Sequence, residues 1–213
     1  MNSNAPALLE TMRVRAGRIP LLDLHRRRLE SSCRALGLPV PALDPASAGP
    51  DRTLRAEVSA AGAVVSERPL GSLEPVHLVW SSVVHEPYRH KTTARGQFDR
   101  TLDEARKAGA DDGILLTRDG FVAESAIWTL FWWEGSQLAA PSLDLGILPA
   151  VSRARLAAVL GPIVERRVGP EGLRGRSLVV ANAVRGPVPV ASLGGQPVPP
   201  HPDTPRLARA FWP

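Results

Sequence analysis

One lysine stands out in a chain that carries nearly all of its positive charge on arginine. Of the 26 lysine and arginine residues, only Lys91 and Lys107 are lysines. A guanidinium group stays charged, whereas a lysine amine can lose its proton and form a Schiff base with a carbonyl compound. Lys91 stands in His90-Lys91-Thr92-Thr93, with no carboxylate at helical spacing. We therefore identify Lys91 as a candidate catalytic amine.

The two lysines could also be what remains after a drift toward arginine codons. Lys107 fits that interpretation, because it lies in a polar stretch of helical spacing, residues 98–108. Asp103, four residues earlier, is its predicted ion-pair partner on the helix surface. Lys91 has no such partner, so the surrounding chain must decide between the two interpretations.

A carboxylate in an otherwise apolar stretch is the second feature that could do chemistry. Glu124 follows Phe121 and Val122 and precedes the largely apolar residues 127–133. Burying an unpaired charge is expensive, so a carboxylate inside such a stretch needs a partner. The alternative is that Glu124 faces solvent from the other side of its strand.

Residues 146–153 predict a loop that leads into a helix. The first N–H groups of a helix have no intrahelical partner and lie at the positive end of its dipole, which suits a phosphate. Ser152 could add a hydroxyl, and Arg28, one turn from His25 on the first predicted helix, could add a positive charge. An ordinary capped helix start and a solvated arginine are the alternatives.

A lysine amine, a carboxylate and a phosphate-binding helix start are the parts that a pyridoxal phosphate enzyme must supply. In such a site Lys91 would hold the cofactor, and Glu124 would keep the pyridine nitrogen protonated. The helix that starts at Val151 would bind the phosphate. Each part is a weak signal alone, and the three together define the hypothesis.

The periodicity of the apolar residues predicts short strands interspersed with helices. The predicted helices cover residues 21–36, 98–108 and 151–160. The predicted strands cover residues 8–15, 61–65, 76–84, 114–117, 121–125, 128–133, 137–140 and 179–182. A hairpin turn is predicted at residues 118–120, and the stretches 39–50 and 194–205, rich in proline, are predicted to be surface loops.

This order of elements indicates an α+β fold in two lobes. We predict a small N-terminal α+β domain over residues 1–86 and a larger C-terminal α+β domain over residues 87–213 that carries Lys91. The boundary falls at Glu86-Pro87-Tyr88.

The composition indicates an ordinary globular protein, with 213 residues, 44% of them hydrophobic and 22% charged. The net charge of +5 and the pI near 10.5 would suit nucleic acid. However, the arginines are dispersed, and only Arg26, Arg27 and Arg28 form a run. Five tryptophans and one tyrosine are not interleaved with basic residues as in base-stacking proteins. We therefore expect no nucleic-acid partner.

Cysteine content and hydropathy limit the remaining classes. Cys33 is the single cysteine, so an internal disulfide and a cysteine metal cluster are excluded, and we expect no metal. Its place in an amphipathic helix predicts a small core residue. The first residues do not resemble a signal peptide, and no apolar run approaches the roughly 18–20 residues of a membrane span. We expect a cytoplasmic protein without a membrane partner.

The ordered set of motifs resembles the class IV (fold type IV) pyridoxal phosphate enzymes over about residues 8–190. The family includes branched-chain aminotransferases, D-amino acid aminotransferases and 4-amino-4-deoxychorismate lyases. The motifs that carry the resemblance are Leu9-Glu10-Thr11-Met12-Arg13, Gly17-Arg18-Ile19, His25-x-x-Arg28-Leu29, His90-Lys91-Thr92-Thr93, Ala110-Asp111-Asp112-Gly113, Gly120-x-Val122-x-Glu124, Gly146-Ile147-Leu148-Pro149 and Asn182-Ala183-Val184-Arg185-Gly186.

The resemblance implies a two-domain α+β fold of the D-amino acid aminotransferase type and a homodimer with its site near the interface. It implies pyridoxal 5'-phosphate on Lys91, with Glu124 at the pyridine nitrogen. The implied phosphate ligands are Arg28 and the N–H groups of Val151 and Ser152. The Asn182-Ala183 turn would line the site near the phosphate and the substrate carboxylate.

The short chain and its Glu-Thr and His-Lys-Thr-Thr motifs most resemble the lyase branch. The implied reaction converts 4-amino-4-deoxychorismate to 4-aminobenzoate and pyruvate, as in folate precursor synthesis. A guanidinium fork binds carboxylates in a bidentate manner, so Arg13 is the predicted substrate-carboxylate ligand, with Arg185 and Arg95 as further candidates.

Two alternatives remain at this stage. The first is a class IV aminotransferase acting on branched-chain or D-amino acids, which would use the same residues. The second is a catalytically degenerate binding protein, because Thr129 replaces the asparagine usual in relatives and the segment before the Glu-Thr motif is short. Ser152 and Phe98 stand where relatives commonly have threonine and tyrosine.

Overall fold

The first part of the chain forms a three-stranded sheet with one helix on it. The computed structural model describes residues 6–43, 49–71 and 74–213. Three antiparallel strands lie in the order β1-β2-β3, with α1 packed on β1. Their bounds are β1 (Leu8–Val14), α1 (Leu22–Leu36), β2 (Arg52–Ser59) and β3 (Gly62–Pro69). Cys33 lies fully buried on α1 in the core between the helix and the sheet, as predicted.

Nine strands of the rest of the chain form a curled mixed sheet. Eight of them lie in the order β6-β5-β4-β11-β10-β7-β8-β9, and β12 adds to β11. The strands are β4 (Val76–Val84), β5 (Asp112–Leu116), β6 (Val122–Ser125), β7 (Thr129–Glu134), β8 (Gln137–Pro141), β9 (Val164–Arg166), β10 (Leu178–Asn182), β11 (Gly186–Leu193) and β12 (Gln196–Pro197). The helices are α2 (Gly96–Lys107), α3 (Val151–Leu160) and α4 (Thr204–Ala210).

Strand β7 is buried on both of its faces, which explains its uninterrupted run of apolar residues. Leu130 and Trp132 point into one core cluster, and Phe131 and Trp133 point into the other. The second cluster also contains Leu156 of α3. These contacts fix helix α3 against the sheet.

Most predicted elements are present, and α3 has the predicted bounds. Strands β2, β9, β11 and β12 and helix α4 were not predicted, and β12 and the start of α4 lie in the predicted loop 194–205. In β2, Leu54, Ala56 and Val58 alternate with Arg55 and Glu57, so the period of two that indicates a strand was present in the sequence and was missed. Pro187 and Pro189 concealed β11. Of the predicted loop 39–50, residues 44–48 lie outside the described part of the chain.

Two expectations about particular positions need comment. Asp103 bonds to Arg106 at 3.0 Å, so the predicted pair between Asp103 and Lys107 is wrong. Strand β4 precedes the predicted boundary at residue 86 but is hydrogen-bonded to β5 and β11 in the large sheet. The division into two domains stays a prediction.

The helices bear on the question of membrane association. None of those in the described ranges is long and apolar enough to cross a bilayer.

We predict that Gly146→Ala destabilises the protein more than Gly109→Ala does. Both glycines have a left-handed backbone, with φ of 75° and 71°, so both changes carry the same conformational penalty, about 1 kcal/mol. A Cβ at residue 146 would also overlap Pro87, whereas none of the described atoms lies within 4 Å at residue 109. That overlap should add about 1–3 kcal/mol. Urea unfolding of both variants measures the difference, and equal losses would contradict the prediction.

Candidate active site

A cavity of about 390 Å³ brings together the residues that the sequence singled out. Its lining includes Lys91, from the segment before α2, and Glu124, from the end of β6. The other predicted residues in the lining are Arg28, Arg95, Val151, Ser152, Asn182, Ala183 and Arg185.

Strand β1 holds the lysine segment in place through its backbone. The N–H of Leu9 donates to the carbonyl of Lys91 at 2.8 Å. The N–H of Thr93 donates to the carbonyl of Ala7 at 2.8 Å, and the N–H of Ala7 donates to Thr93 Oγ1 at 3.0 Å. The backbone from Lys91 to Thr93 is therefore fixed, and the Lys91 side chain remains available to the cavity.

The Lys91 amine lies in an environment that disfavours its charged form. Burial, together with the guanidinium groups of Arg28 and Arg95, lowers its pKa to about 7. The carboxylates of Glu10 and Glu124 oppose this shift. A large fraction of the amine is thus unprotonated, and nucleophilic, near neutral pH.

Glu124 is buried, as one of the two sequence interpretations required. Its Oε2 accepts a hydrogen bond from the Tyr88 hydroxyl at 2.8 Å. Its Oε1 is also buried and has no hydrogen-bond partner among the described residues. Burial raises the pKa of Glu124 to about 7, against the bond from Tyr88 and the charges of Lys91 and Arg95. Glu124 lines the cavity, and because Oε1 has no donor among the described residues, its carboxylate can accept one more hydrogen bond.

Asp112 holds the turn that follows Glu124, a role the sequence did not reveal. Its buried carboxylate accepts bonds from Ser125 Oγ at 2.8 Å, Ile127 N–H at 3.0 Å and Ala126 N–H at 3.1 Å. Burial raises its pKa to about 6, although these bonds oppose the shift. The only sequence signal was a carboxylate at the head of a buried strand.

The start of α3 lacks a side-chain cap. Ala150 occupies the N-cap position, and no side-chain hydrogen bond reaches it. The Ser152 hydroxyl is turned toward the Ala181 carbonyl and Thr129 Oγ1, each at 3.2 Å. The backbone N–H groups of Val151 and Ser152 therefore stay available at the positive end of the helix, an arrangement that suits phosphate.

Arg28 reaches the cavity while bound to a buried acid. Its Nε and Nη2 donate to Glu10 Oε1 and Oε2 at 2.8 and 2.6 Å. His25 Nδ1 lies 2.6 Å from Glu10 Oε2. Burial alone would raise the pKa of Glu10, but Arg28 and His25 outweigh it and lower the pKa to about 2. An anion in the cavity would share Arg28 with this carboxylate.

The Asn182-Ala183 turn is held by its own side chain. Asn182 Oδ1 accepts bonds from the N–H groups of Val184 at 3.0 Å and Arg185 at 2.8 Å. The Arg185 guanidinium then lies 5.0 Å from the centre of the Trp128 ring.

Arg95 is held by a backbone carbonyl and by an aromatic ring. Its Nη2 donates to the Ala126 carbonyl at 2.8 Å, and its guanidinium lies 5.0 Å from the centre of the Phe98 ring.

Arg13 is not among the residues that line the cavity, contrary to the placement its predicted role requires. Its Nη2 bonds to Asp51 Oδ2 at 2.6 Å, and its guanidinium lies 4.8 Å from the Trp212 ring. Arg55 of β2 and Arg68 of β3 line the cavity instead. The sequence could not offer them, because β2 was not recognised and its pairing with β3 sets which side chains face the cavity.

The comparisons with known proteins agree with this geometry. The profile of the family described as amino-transferase class IV matches residues 7–48 and 47–193. The chain therefore belongs to the amino-transferase class IV family and has the mixed helix and sheet fold of fold type IV. This family depends on pyridoxal phosphate.

Relatives include both lyases and aminotransferases. The chain is 49% identical over 51 residues to aminodeoxychorismate lyase of Bacillus subtilis, a match that spans 22% of this chain and 17% of that enzyme. The crystal structure of a candidate 4-amino-4-deoxychorismate lyase is 27% identical, covers 99% of this chain and 91% of its own, and has a TM-score of 0.80. A candidate amino-acid aminotransferase from Mesorhizobium loti is also 27% identical, with a TM-score of 0.79 over 88% of this chain and all of its own.

The cavity fits the family's cofactor on three counts. Its amine has a pKa near 7, its buried carboxylate has a free oxygen, and its helix start is uncapped. These are the groups that a carbonyl carbon, a ring nitrogen and a phosphate require.

We predict that Lys91 reacts with pyridoxal phosphate in preference to Lys107. Borohydride would fix the adduct, and peptide mass spectrometry would locate it. Lys107 is an exposed lysine on α2 and serves as the internal control. The yield at Lys91 should rise with pH through about 7, because the amine reacts only after it loses its proton. Equal labelling of both lysines would contradict the prediction.

We also predict a pH-dependent contribution of Glu124 to the stability of the cofactor-free protein. Because the pKa is raised from 4.5 to about 7, the native protein keeps a proton that the unfolded chain releases. The stabilisation is complete below pH 4.5 and is lost as the pH rises through about 7. The free energy of unfolding of the wild type, relative to Glu124→Gln, should fall by about 3 kcal/mol over that window.

Urea unfolding at a series of pH values measures this trend. Glu104→Gln is the control. Hydroxyls of Ser81 and Ser82 lower the pKa of Glu104, so its contribution to the free energy of unfolding is lost as the pH falls, opposite to the trend for Glu124. A difference between wild type and Glu124→Gln that does not change with pH would disprove the assignment.

Proposed function

We propose that the protein is a pyridoxal phosphate-dependent lyase that converts 4-amino-4-deoxychorismate to 4-aminobenzoate and pyruvate. The observation that carries the proposal is the charge of the cavity. Glu124 is the one acid in its described lining, against six basic side chains. These are Arg28, Arg55, Arg68, Lys91, Arg95 and Arg185.

Such a lining suits a substrate with more than one carboxylate. Aminodeoxychorismate carries one carboxylate on its ring and one on its enolpyruvyl group. If Arg28 serves the cofactor phosphate, four arginines remain for these two groups. Arg55 has an exposed partner, Glu57, at 2.8 Å, and an exposed pair of this kind holds its members weakly. A branched-chain amino acid would need an apolar pocket for its side chain instead.

The residues that would hold the cofactor are those the sequence indicated. Lys91 would bind its carbonyl carbon, Glu124 Oε1 its ring nitrogen, and Arg28 with the N–H groups of Val151 and Ser152 its phosphate. When bound, pyridoxal phosphate supplies an electron sink for charge that develops on the substrate carbon.

The remaining work falls to side chains of the protein. Lys91 Nζ is the base that takes the proton from the amine-bearing carbon, because its low pKa leaves it unprotonated near neutral pH. Arg185 and the Asn182-Ala183 turn orient a substrate carboxylate, and Arg95 is a further candidate. Arg13 would need a different arrangement to take part.

The likeness to lyases in sequence and in overall structure supports this reaction, and the likeness to an aminotransferase keeps the second reaction in view. We further propose a homodimer. Its support is the edge strand β3, where Val64 and Val65 are 71% and 51% exposed. Ile127, at the cavity, is 39% exposed.

The decisive assay supplies aminodeoxychorismate to one sample and an amino acid with 2-oxoglutarate to another. We expect release of 4-aminobenzoate and pyruvate, and no release from Lys91→Ala. Transamination without 4-aminobenzoate would favour the aminotransferase. If the wild type shows no cofactor absorbance band, or a band that remains in Lys91→Ala, the degenerate binding protein would be favoured.

Removing single arginines tests the charge argument. We predict that Arg68→Gln and Arg185→Gln each lower kcat/KM for aminodeoxychorismate by about tenfold or more, since a hydrogen bond to a charged group contributes about 1.5–3 kcal/mol. Arg174→Gln is the control, because Arg174 is exposed and pairs with Glu171 away from the cavity. Unchanged kinetics in both cavity variants would remove the main support for this substrate.

A further inference from the structure

A buried histidine outside the cavity lining has no hydrogen bond to account for it. His85 directly follows β4, and its backbone N–H donates to the Leu116 carbonyl at 2.8 Å. Its side chain is 0% exposed. Neither ring nitrogen has a hydrogen-bond partner in the described ranges. Buried polar groups are seldom left unpaired, because the lost hydration is not replaced.

A second polar atom without a hydrogen-bond partner lies close to this ring. His85 Nδ1 lies 3.6 Å from Glu124 Oε1, the oxygen that lacks a partner. This separation is slightly too long for a hydrogen bond. A shift of about half an ångström would close it, and contacts of this kind commonly tighten when a ligand binds.

Tyr88 contacts both Glu124 and His85. It donates to Glu124 Oε2, and its ring meets the His85 ring edge-on, with centres 6.2 Å apart. Glu124 is thus flanked by a hydroxyl donor at one oxygen and by an imidazole at the other. A carboxylate held at both oxygens has its direction fixed.

Burial outweighs the polar surroundings of His85 and favours the neutral form of its ring. Burial lowers its pKa, while the carbonyl groups of Gly146 and Leu145 and the charge of Glu86 oppose that shift. A neutral imidazole has one N–H and one acceptor nitrogen. Because Nδ1 faces a carboxylate oxygen, the N–H belongs on Nδ1.

We propose that His85 is a positioning residue for Glu124, donating its Nδ1–H to Oε1 and holding the carboxylate ionised and directed at the ring nitrogen of the cofactor. The inference rests on the role proposed for Glu124 and applies to either reaction of this family. Without the donor, burial would favour protonated Glu124, which cannot accept the ring N–H in the same way.

Three variants test this role. His85→Phe keeps a ring but removes both nitrogens, and His85→Asn restores an amide N–H near the position of Nδ1. His77→Phe, at the other end of β4, is the control, because His77 is exposed and bonds to Ser192. The readouts are the dissociation constant of pyridoxal phosphate and the titration of Glu124 in the cofactor-free protein, followed by carbon NMR of labelled glutamate.

We expect His85→Phe to weaken cofactor binding about tenfold and to raise the titration midpoint of Glu124 by about one pH unit. His85→Asn should recover most of both effects, and His77→Phe should change neither. An unchanged midpoint in His85→Phe would overturn the proposal. Equal defects in His85→Phe and His85→Asn would also overturn it, because they would indicate a packing role alone.

A measurement on the wild-type ring covers the case in which His85→Phe does not fold. Nitrogen NMR of labelled histidine reports which ring nitrogen carries the proton. We expect the Nδ1–H form and a change of its shift in Glu124→Gln. An Nε2–H form, or a shift that does not respond to Glu124→Gln, would refute the role. Neither readout uses a substrate, so a failure here is separate from a failure of the lyase assay.

Discussion

The partial burial of Lys91 beside two guanidinium groups is the constraint on which the site depends. Water would stabilise an ammonium group, but this cavity replaces water with Arg28, Arg95 and apolar surface, so the neutral amine is favoured. Glu10 and Glu124 return part of the lost stabilisation, which keeps the pKa near 7 rather than lower. The balance produces a nucleophile without an additional base.

The fold maintains this balance because hydrogen bonds and packing hold the backbone of the site segments, while the side chains and N–H groups at the cavity can still bind a ligand. Ala7 and Leu9, at the start of β1, bond to the backbone of Thr93 and Lys91, and Asp112 bonds to the turn after Glu124. Helix α3 packs on the sheet through Leu156 but starts at Ala150 without a cap. In each case a held backbone segment positions a group that can still form a bond to a ligand.

Under the proposed function, the residues for the cofactor and those for the substrate come from different elements of the fold, which would let one scaffold serve both lyases and aminotransferases. Lys91, Glu124 and the start of α3 are motif positions of the family and do not distinguish the two reactions. The arginines of the β2–β3 hairpin lie across the cavity from them and determine its charge. Specificity can therefore change without disturbing the amine or its neighbours.

The sequence by itself determined the family, and it predicted the amine, the acid and the phosphate helix as parts of one site, because these rest on residue types at short, characteristic spacings. The bounds of α3 and the burial of Cys33 also followed from local pattern. Tertiary structure alone decided that Arg55 and Arg68 face the cavity while Arg13 pairs with Asp51. It also decided that His85 meets Glu124. Strand register and the packing of distant segments set such contacts, and neither is encoded in the spacing of neighbouring residues.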